Sequence, residues 1–173
     1  MLQVFKPLPI ARDVQRVDML PSEAAAFGRH TLTLGWEDRL RARGRRRSDQ
    51  GAEFGTALPR ATVLRNGDCL IVRELSLVVA IVERAEPVFV IVPRSPAEWA
   101  TFGYHIGNSH QPLMVAEGAL ICPDLPGMEQ VLHYHGIVFT RDERPFTPMT
   151  GAGDPFAGGH RHSPAGSASG QGT

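Results

Sequence analysis

The first half of the chain alternates short apolar segments with turn residues. Four segments are typical of strands, because each is short and either apolar or alternating: 31–34, 52–58, 69–72 and 77–82. Before the third of them, Asn66-Gly67 precedes Asp68 and predicts a tight turn, since Asn and Gly both tolerate positive φ. The pattern predicts a small β domain.

The second half changes character at a clear helix start. Ser95 is expected to be the N-cap, Pro96 lies in the first turn, and Glu98 stands three residues after the cap. The helix is expected to run to about Ile106 and to stop at Gly107-Asn108, where glycine ends many helices.

The remaining segments complete a recognisable order of elements. An apolar strand precedes this helix, a hairpin through Glu117-Gly118 follows it, and a second helix and a last strand come after: 88–92, 113–116, 119–122, 128–134 and 137–140. The order β-α-β-β-α-β predicts a ferredoxin-like sheet with both helices on one face. The fold class is therefore α+β, with a β-rich N-terminal domain at 1–83 and a ferredoxin-like C-terminal domain at 84–150.

The composition predicts a C-terminal tail and disfavours some classes of partner. Glycine, serine, alanine and proline dominate 151–173, so we expect a disordered tail. The basic and acidic residues number 18 each and cancel, so no overall field favours nucleic acid or an anionic membrane. No secretion signal or spanning segment is visible, and we expect a cytoplasmic protein.

One local charge cluster departs from this neutrality. Segment 39–47 holds six arginines in nine positions and is followed by polar residues. We interpret it as a solvated, mobile loop. The alternative is a docking surface for an acidic partner or for RNA.

The two cysteines lie in apolar surroundings and form no CxxC pair. Cys69 and Cys122 are each flanked by residues typical of buried strands. Because free cysteine is among the most buried residue types, we expect core thiols in a reducing compartment, with metal ligation as the alternative.

Histidines supply the candidate metal chemistry, since neutral imidazole is a common ligand of nickel, copper and zinc. Six of the seven lie after residue 100. His160 and His162 are one residue apart in the tail, where both rings can turn toward one ion, so we favour metal capture over the alternative of inconsequential polar residues.

The other four histidines border the two helices of the second half. His110 is expected to project from the turn after the first helix, while His105, still on that helix, is more easily explained as a structural histidine. His133 and His135 are two positions apart on the second helix and so point apart, which predicts packing for at least one of them. Glu129 and His133 share a helix face, as a surface hydrogen bond or as part of a site.

Catalytic templates are missing from the sequence. It contains no G-x-S-x-G elbow, no H-E-x-x-H helix and no phosphate-cradling glycine loop. We therefore predict that the protein is not an enzyme. A metal-dependent hydrolase is a distant alternative.

The segment 104–113, Tyr-His-Ile-Gly-Asn-Ser-His-Gln-Pro-Leu, closely resembles the signature of the urease accessory protein E family, the nickel metallochaperone of urease maturation. The turn at 64–68, the stretch 136–148 and the histidine-bearing tail resemble that family in the same order. The resemblance covers most of the chain from about Thr31. Ser109 departs from the family, which commonly has arginine there.

The resemblance implies a homodimer in which His110 of both subunits holds one Ni²⁺ and His160 and His162 add ligands. It implies a protein-binding N-terminal domain and a C-terminal domain that binds metal and dimerises. Ni²⁺ would be cargo, with Cu²⁺ or Zn²⁺ as further ions that the same ligands suit. The implied partners are the urease apoprotein and other urease accessory proteins, including the maturation GTPase. The alternative function is a scaffold for urease assembly that binds proteins and stores no metal.

Overall fold

Residues 7–149 are the part of the chain that the structure, a computed structural model, describes. The first half holds seven strands and a short helix before the strand that leads into the second half: β1 (Ile10–Ala11), β2 (Val14–Arg16), β3 (Gly28–Leu34), α1 (Trp36–Arg39), β4 (Arg43–Arg47), β5 (Glu53–Ala57), β6 (Asp68–Val72) and β7 (Leu77–Glu83). The second half holds β8 (Ala85–Ile91), α2 (Pro96–Asn108), β9 (Met114–Ala116), β10 (Ala119–Pro123), α3 (Met128–Tyr134) and β11 (Thr140–Pro145).

Two sheets enclose the core of the first half. The larger has the order β2-β6-β7-β3 and the smaller the order β1-β5-β4. Apolar side chains from both sheets form one cluster, to which Leu32, Phe54, Leu70 and Ile81 belong. All four strands expected here are present. At the expected turn, Asp68 donates its N–H to the Arg65 carbonyl and only Gly67 takes positive φ.

The second half is ferredoxin-like, as the order of elements predicts. Its sheet has the order β11-β8-β10-β9 with every neighbouring pair antiparallel, which is the 4-1-3-2 arrangement of the split βαβ fold. Both helices lie on one face, because Ile106 of α2 and Leu132 of α3 share a buried cluster with Phe89 and Ile91 of β8. The predicted N-cap is confirmed, since the Ser95 hydroxyl accepts the Glu98 N–H.

The predicted last strand is present, but its predicted bounds, 137–140, are wrong, because the strand is Thr140–Pro145. Helix α3 ends in a Schellman motif: Gly136, at φ +64°, donates to the His133 carbonyl, and Ile137 donates to the Leu132 carbonyl. Ile137 is therefore buried against the helix end and not in a strand. The strand itself is the polar β11, whose charged side chains are typical of a sheet edge.

The prediction of a mobile loop at 39–47 is wrong. Arg39 ends α1 and is buried, while 43–47 form strand β4 paired along its length with β5. Arg46 points inward and donates to the carbonyl oxygens of Asp38 and Arg41. An arginine-rich segment can thus form a strand when the one arginine that points inward finds acceptors in the interior.

The two halves contact each other around α1. The backbone N–H of Trp36 donates to the Glu86 carboxylate, 2.7 Å away, and the Trp36 ring packs edge-on against Phe146 at 5.5 Å between ring centroids. Arg39 reaches the same place, where it donates to the Phe146 carbonyl and the Thr147 hydroxyl. Residues that follow β11 are thereby fixed against the first half.

Within residues 7–149, no helix has both the length and the hydrophobicity needed to cross a bilayer. The tail at 151–173, for which disorder is predicted, lies outside the described residues.

Candidate metal centre

His110 takes its position from the end of helix α2. Ser109 caps the helix, His110 donates its N–H to the Gly107 carbonyl at 3.0 Å, and Gln111 donates to the Ile106 carbonyl at 3.4 Å. These are the two hydrogen bonds of a Schellman motif, and His110 is the residue in the left-handed conformation, with φ +55°.

A histidine at this position is unusual because glycine normally occupies it. An L-residue with a Cβ pays roughly 1–2 kcal/mol in the left-handed region, although histidine enters it more often than most residues. The motif fixes the His110 backbone while its side chain is exposed to solvent. The result is an accessible imidazole on a helix end whose backbone is held by two hydrogen bonds.

Within the described part of one chain, His110 is not surrounded by further ligands. Among residues 7–149, no group of three or more histidine, cysteine, aspartate or glutamate side chains is placed to hold a metal ion. The two other candidate ligands, His160 and His162, lie outside the described residues.

The structure places His105 against His135. It does not place His105 in a ligand group with His110. Their rings are stacked, with centroids 3.8 Å apart and planes 18° apart, and both residues are half-buried. Tyr104 and Tyr134 each pack edge-on against the histidine next to them in sequence. This contact accords with the packing expected of His105 and of at least one residue of the pair 133 and 135, although His135 caps α3 instead of lying within it.

Glu129 belongs to a surface network of ion pairs. Its carboxylate accepts from Arg141 at 2.6 Å and lies 3.6 Å from the His133 ring. The hydrogen bond from Arg141 holds the pKa of Glu129 below its usual range. Because Arg141 already occupies this carboxylate, Glu129 and His133 form part of a charged surface, and the side chain of His133 is 69% exposed.

Both cysteines are free and buried, as predicted for core thiols. Burial raises the pKa of Cys122 to about 12 and also raises the pKa of Cys69. Since a thiol must lose its proton to ligate metal, both positions are poorly suited to that role.

Comparison with known protein families gives matches along both halves of the chain. The model of the UreE urease accessory protein N-terminal domain matches residues 12–83, and that of the C-terminal domain matches residues 86–171. Urease accessory protein UreE of Burkholderia mallei (strain SAVP1) is 33% identical over 153 residues, which cover 88% of this chain and 71% of that protein. The chain belongs to the UreE family of urease accessory proteins. The resemblance drawn from residues 104–113 is thereby confirmed.

Two further UreE proteins are longer than the region they share with this chain. The protein of Burkholderia vietnamiensis (strain G4 / LMG 22486) is 34% identical over 132 residues, covering 76% of this chain and 64% of its own length. That of Ralstonia nicotianae (strain ATCC BAA-1114 / GMI1000) is 36% identical over 131 residues, covering 76% and 60%. The chain thus spans less than two thirds of these relatives.

The His105–His135 stack in this UreE-family chain was missed by sequence reasoning. Each histidine stands near the C-terminal end of a helix, and the ferredoxin-like order places both helices on one face of the sheet. That combination could have indicated proximity, but ring stacking depends on side-chain rotamers and is not encoded in spacing.

Proposed function

We propose that this chain is a urease accessory metallochaperone that binds Ni²⁺ at the interface of a homodimer and delivers it for assembly of the urease active site. The observation that carries the proposal is the exposed His110 imidazole, held on the rigid end of α2 within the segment that resembles the family signature. Membership in the UreE family supports the role in urease maturation.

A dimer is proposed because, within residues 7–149, one chain brings together no group of three or more ligands that could hold the ion. His110 offers one imidazole, and a single nitrogen does not hold a transition metal selectively. Two copies related by a two-fold axis would present a matched pair, as isologous interfaces repeat each contact. His160 and His162 of the tail would complete the coordination of the ion.

Such a site suits a carrier better than a permanent holder. Two anchored nitrogens with further ligands on the tail leave a coordination shell that exchanges readily, and a carrier must release its cargo. The nitrogen ligands also suit Cu²⁺ and Zn²⁺, and Cu²⁺ binds more tightly than Ni²⁺ at most such sites. Selectivity therefore has to come from geometry and metal supply.

The remaining elements of the proposal follow from this carrier role. The protein is a cytoplasmic chaperone and not an enzyme. Its partners are the urease apoprotein and other urease accessory proteins, including the maturation GTPase, which would receive or direct the metal. The β-rich half, 1–83, would bind proteins, and the ferredoxin-like half, 84–150, would bind metal and dimerise.

A second candidate is a scaffold that organises urease assembly without storing metal. The exposed arginines of β4 favour it, since they offer a charged surface on the first half of the chain, whereas His110 lies on the second. Equilibrium dialysis against Ni²⁺ separates the two candidates, because a scaffold would retain no ion.

Calorimetric titration of the full chain with Ni²⁺, together with its mass in solution, tests the proposal. We expect a dimer that binds one Ni²⁺ tightly per two chains. After removal of 151–173, the protein should bind fewer Ni²⁺ ions or bind them with lower affinity. His110→Asn should lower the affinity by more than about tenfold, because both subunits lose a ligand at once. Asparagine tolerates the left-handed conformation, so the backbone is preserved.

His133→Asn is the matched control, since it removes an exposed imidazole outside the candidate site. It should leave the affinity unchanged. Wild-type affinity in His110→Asn together with a loss in His133→Asn or His105→Asn would overturn the site assignment. Absence of any tight Ni²⁺ in the wild-type chain would favour the scaffold.

A further inference from the structure

Strand β4 is the free edge of the smaller sheet in the first half. The sheet has the order β1-β5-β4, so β4 pairs with β5 on one side, and no other strand of residues 7–149 pairs with it on the other side. A free edge carries unpaired backbone N–H and C=O groups that can receive another strand.

The register decides which backbone groups of β4 are free. Leu58 donates to the Ala42 carbonyl and Ser48 donates to the Ala52 carbonyl, so these are the hydrogen-bonded pairs at the two ends. Because such pairs alternate along an antiparallel ladder, Gly44 and Arg46 also turn their polar groups toward β5. The N–H and C=O of positions 43, 45 and 47 therefore point to the open edge.

The same alternation places three arginine side chains together. Arg43, Arg45 and Arg47 are exposed on one face, while Arg46 is buried on the other. Arg45 pairs with Glu53 at 2.9 Å, whereas Arg43 and Arg47 make no ion pair with any residue in the described range 7–149. In a chain whose formal net charge is zero, this is a local excess of positive charge.

Charge and backbone together select the partner. A second copy of β4 would bring arginine opposite arginine, so self-pairing is disfavoured. An extended peptide with acidic residues at alternate positions satisfies both features, because its backbone completes the ladder and its carboxylates meet the arginines. A nucleic acid would neutralise the arginines, but it has no regular row of backbone N–H and C=O groups that could pair with the open edge.

We propose that β4 binds an acidic, extended segment of a partner protein, which joins the sheet as an additional strand along Arg43, Arg45 and Arg47. This binding uses no metal and is independent of the Ni²⁺ site. Salt should weaken it, since the arginines are exposed and screened at ordinary ionic strength.

Fluorescence anisotropy with a fluorescein-labelled peptide of alternating Glu and Val tests the proposal on the metal-free full chain. We expect saturable binding that weakens with added salt and is absent for the matching Lys-Val peptide. Arg43→Glu/Arg47→Glu should reduce affinity by about tenfold or more, as attraction becomes repulsion on both sides. Arg12→Glu/Arg94→Glu makes the same change in net charge at exposed sites away from the edge and should leave affinity nearly unchanged.

The backbone part of the proposal has its own variant and readout. Arg45→Pro removes an N–H that points outward and spares the ladder to β5, so it should fold and lose peptide binding. Hydrogen exchange should show the amides of positions 43, 45 and 47 becoming protected when the peptide binds, while 44 and 46 are already protected.

Three outcomes would overturn the proposal. One is equal peptide affinity in the two double variants. Another is protection that does not reach the amides of 43, 45 and 47. The third is tighter binding of a single-stranded oligouridine RNA than of the acidic peptide under the same salt.

Discussion

Arg39 lies 2.9 Å from the carboxylate of Glu83, with its side chain only 1% exposed. The same guanidinium donates to the carbonyls of Leu64 and Phe146 and to the Thr147 hydroxyl. One buried cation thus joins both halves of the chain. Its Nε has no hydrogen-bond partner in the described structure. Burial lowers the pKa of Arg39.

Arg39→Met should strongly destabilise the protein. Methionine fills a similar volume but removes the cation from the Glu83 carboxylate, which keeps only the Asn66 N–H as a donor within residues 7–149, and leaves the two carbonyls without the guanidinium. Breaking a buried ion pair on one side costs about 3–5 kcal/mol. Urea unfolding measures the loss. Arg41→Met is the control, because Arg41 forms an exposed pair with Asp38 and should cost less than about 1 kcal/mol. Similar losses for the two variants would contradict the role of Arg39.

The Cys122 thiol should be unreactive in the native protein. Its pKa of about 12 leaves almost no thiolate at pH 8, and the side chain is fully buried. A maleimide or disulfide reagent should label neither cysteine in native conditions and both in urea. Rapid labelling of Cys122 in the folded chain would show that this part of the core opens readily.

Asp49 should contribute to acid sensitivity. Hydrogen bonds from the hydroxyls of Thr31 and Thr33 and from the Thr33 N–H hold the pKa of Asp49 below its usual 3.8. A carboxyl with a lowered pKa in the folded state stabilises the protein above its unfolded pKa, and this contribution disappears as pH falls through the folded value. In Asp49→Asn, the free energy of unfolding should therefore fall less steeply between about pH 5 and pH 2 than in the wild type.

Urea midpoints for the wild type and Asp49→Asn over that pH range provide the measurement. Glu53→Gln is the control, since its exposed pair with Arg45 should alter the slope little. An unchanged slope in Asp49→Asn would mean that these hydrogen bonds persist when the carboxyl is protonated.

The sequence predicted those elements whose signals are local. Helix α3 was found with both its bounds, and the start of α2 was found because Ser95 and Glu98 are set by neighbouring positions. The position of His110 after a helix end was predictable for the same reason. Its left-handed φ was not, because glycine is the usual residue there.

Two of the three errors arose where distant residues decide the structure. The sequence predicts that Arg39 is exposed to solvent. Its hydrogen-bond acceptors in residues 146 and 147 are more than a hundred positions away along the chain. Arg46 is buried only because β4 pairs with β5. Ile137 looks like a strand residue, yet the hydrogen bond of its N–H to Leu132 ties it to the helix end. Tertiary contacts override the local pattern at Arg39 and Arg46, whereas at Ile137 a local helix-end motif was not recognised.

His110 should show a reversed preference between glycine and alanine. In the left-handed conformation glycine has no Cβ to strain, so His110→Gly should be more stable than His110→Ala by about 1 kcal/mol. Thr101, exposed within α2, is the control, because at an ordinary helix position alanine is favoured over glycine by about 1 kcal/mol. Urea unfolding of the four variants gives both differences. If alanine were favoured at both positions, the helix end at His110 would not hold the left-handed conformation in solution, and the rigid placement of its imidazole would have to be abandoned.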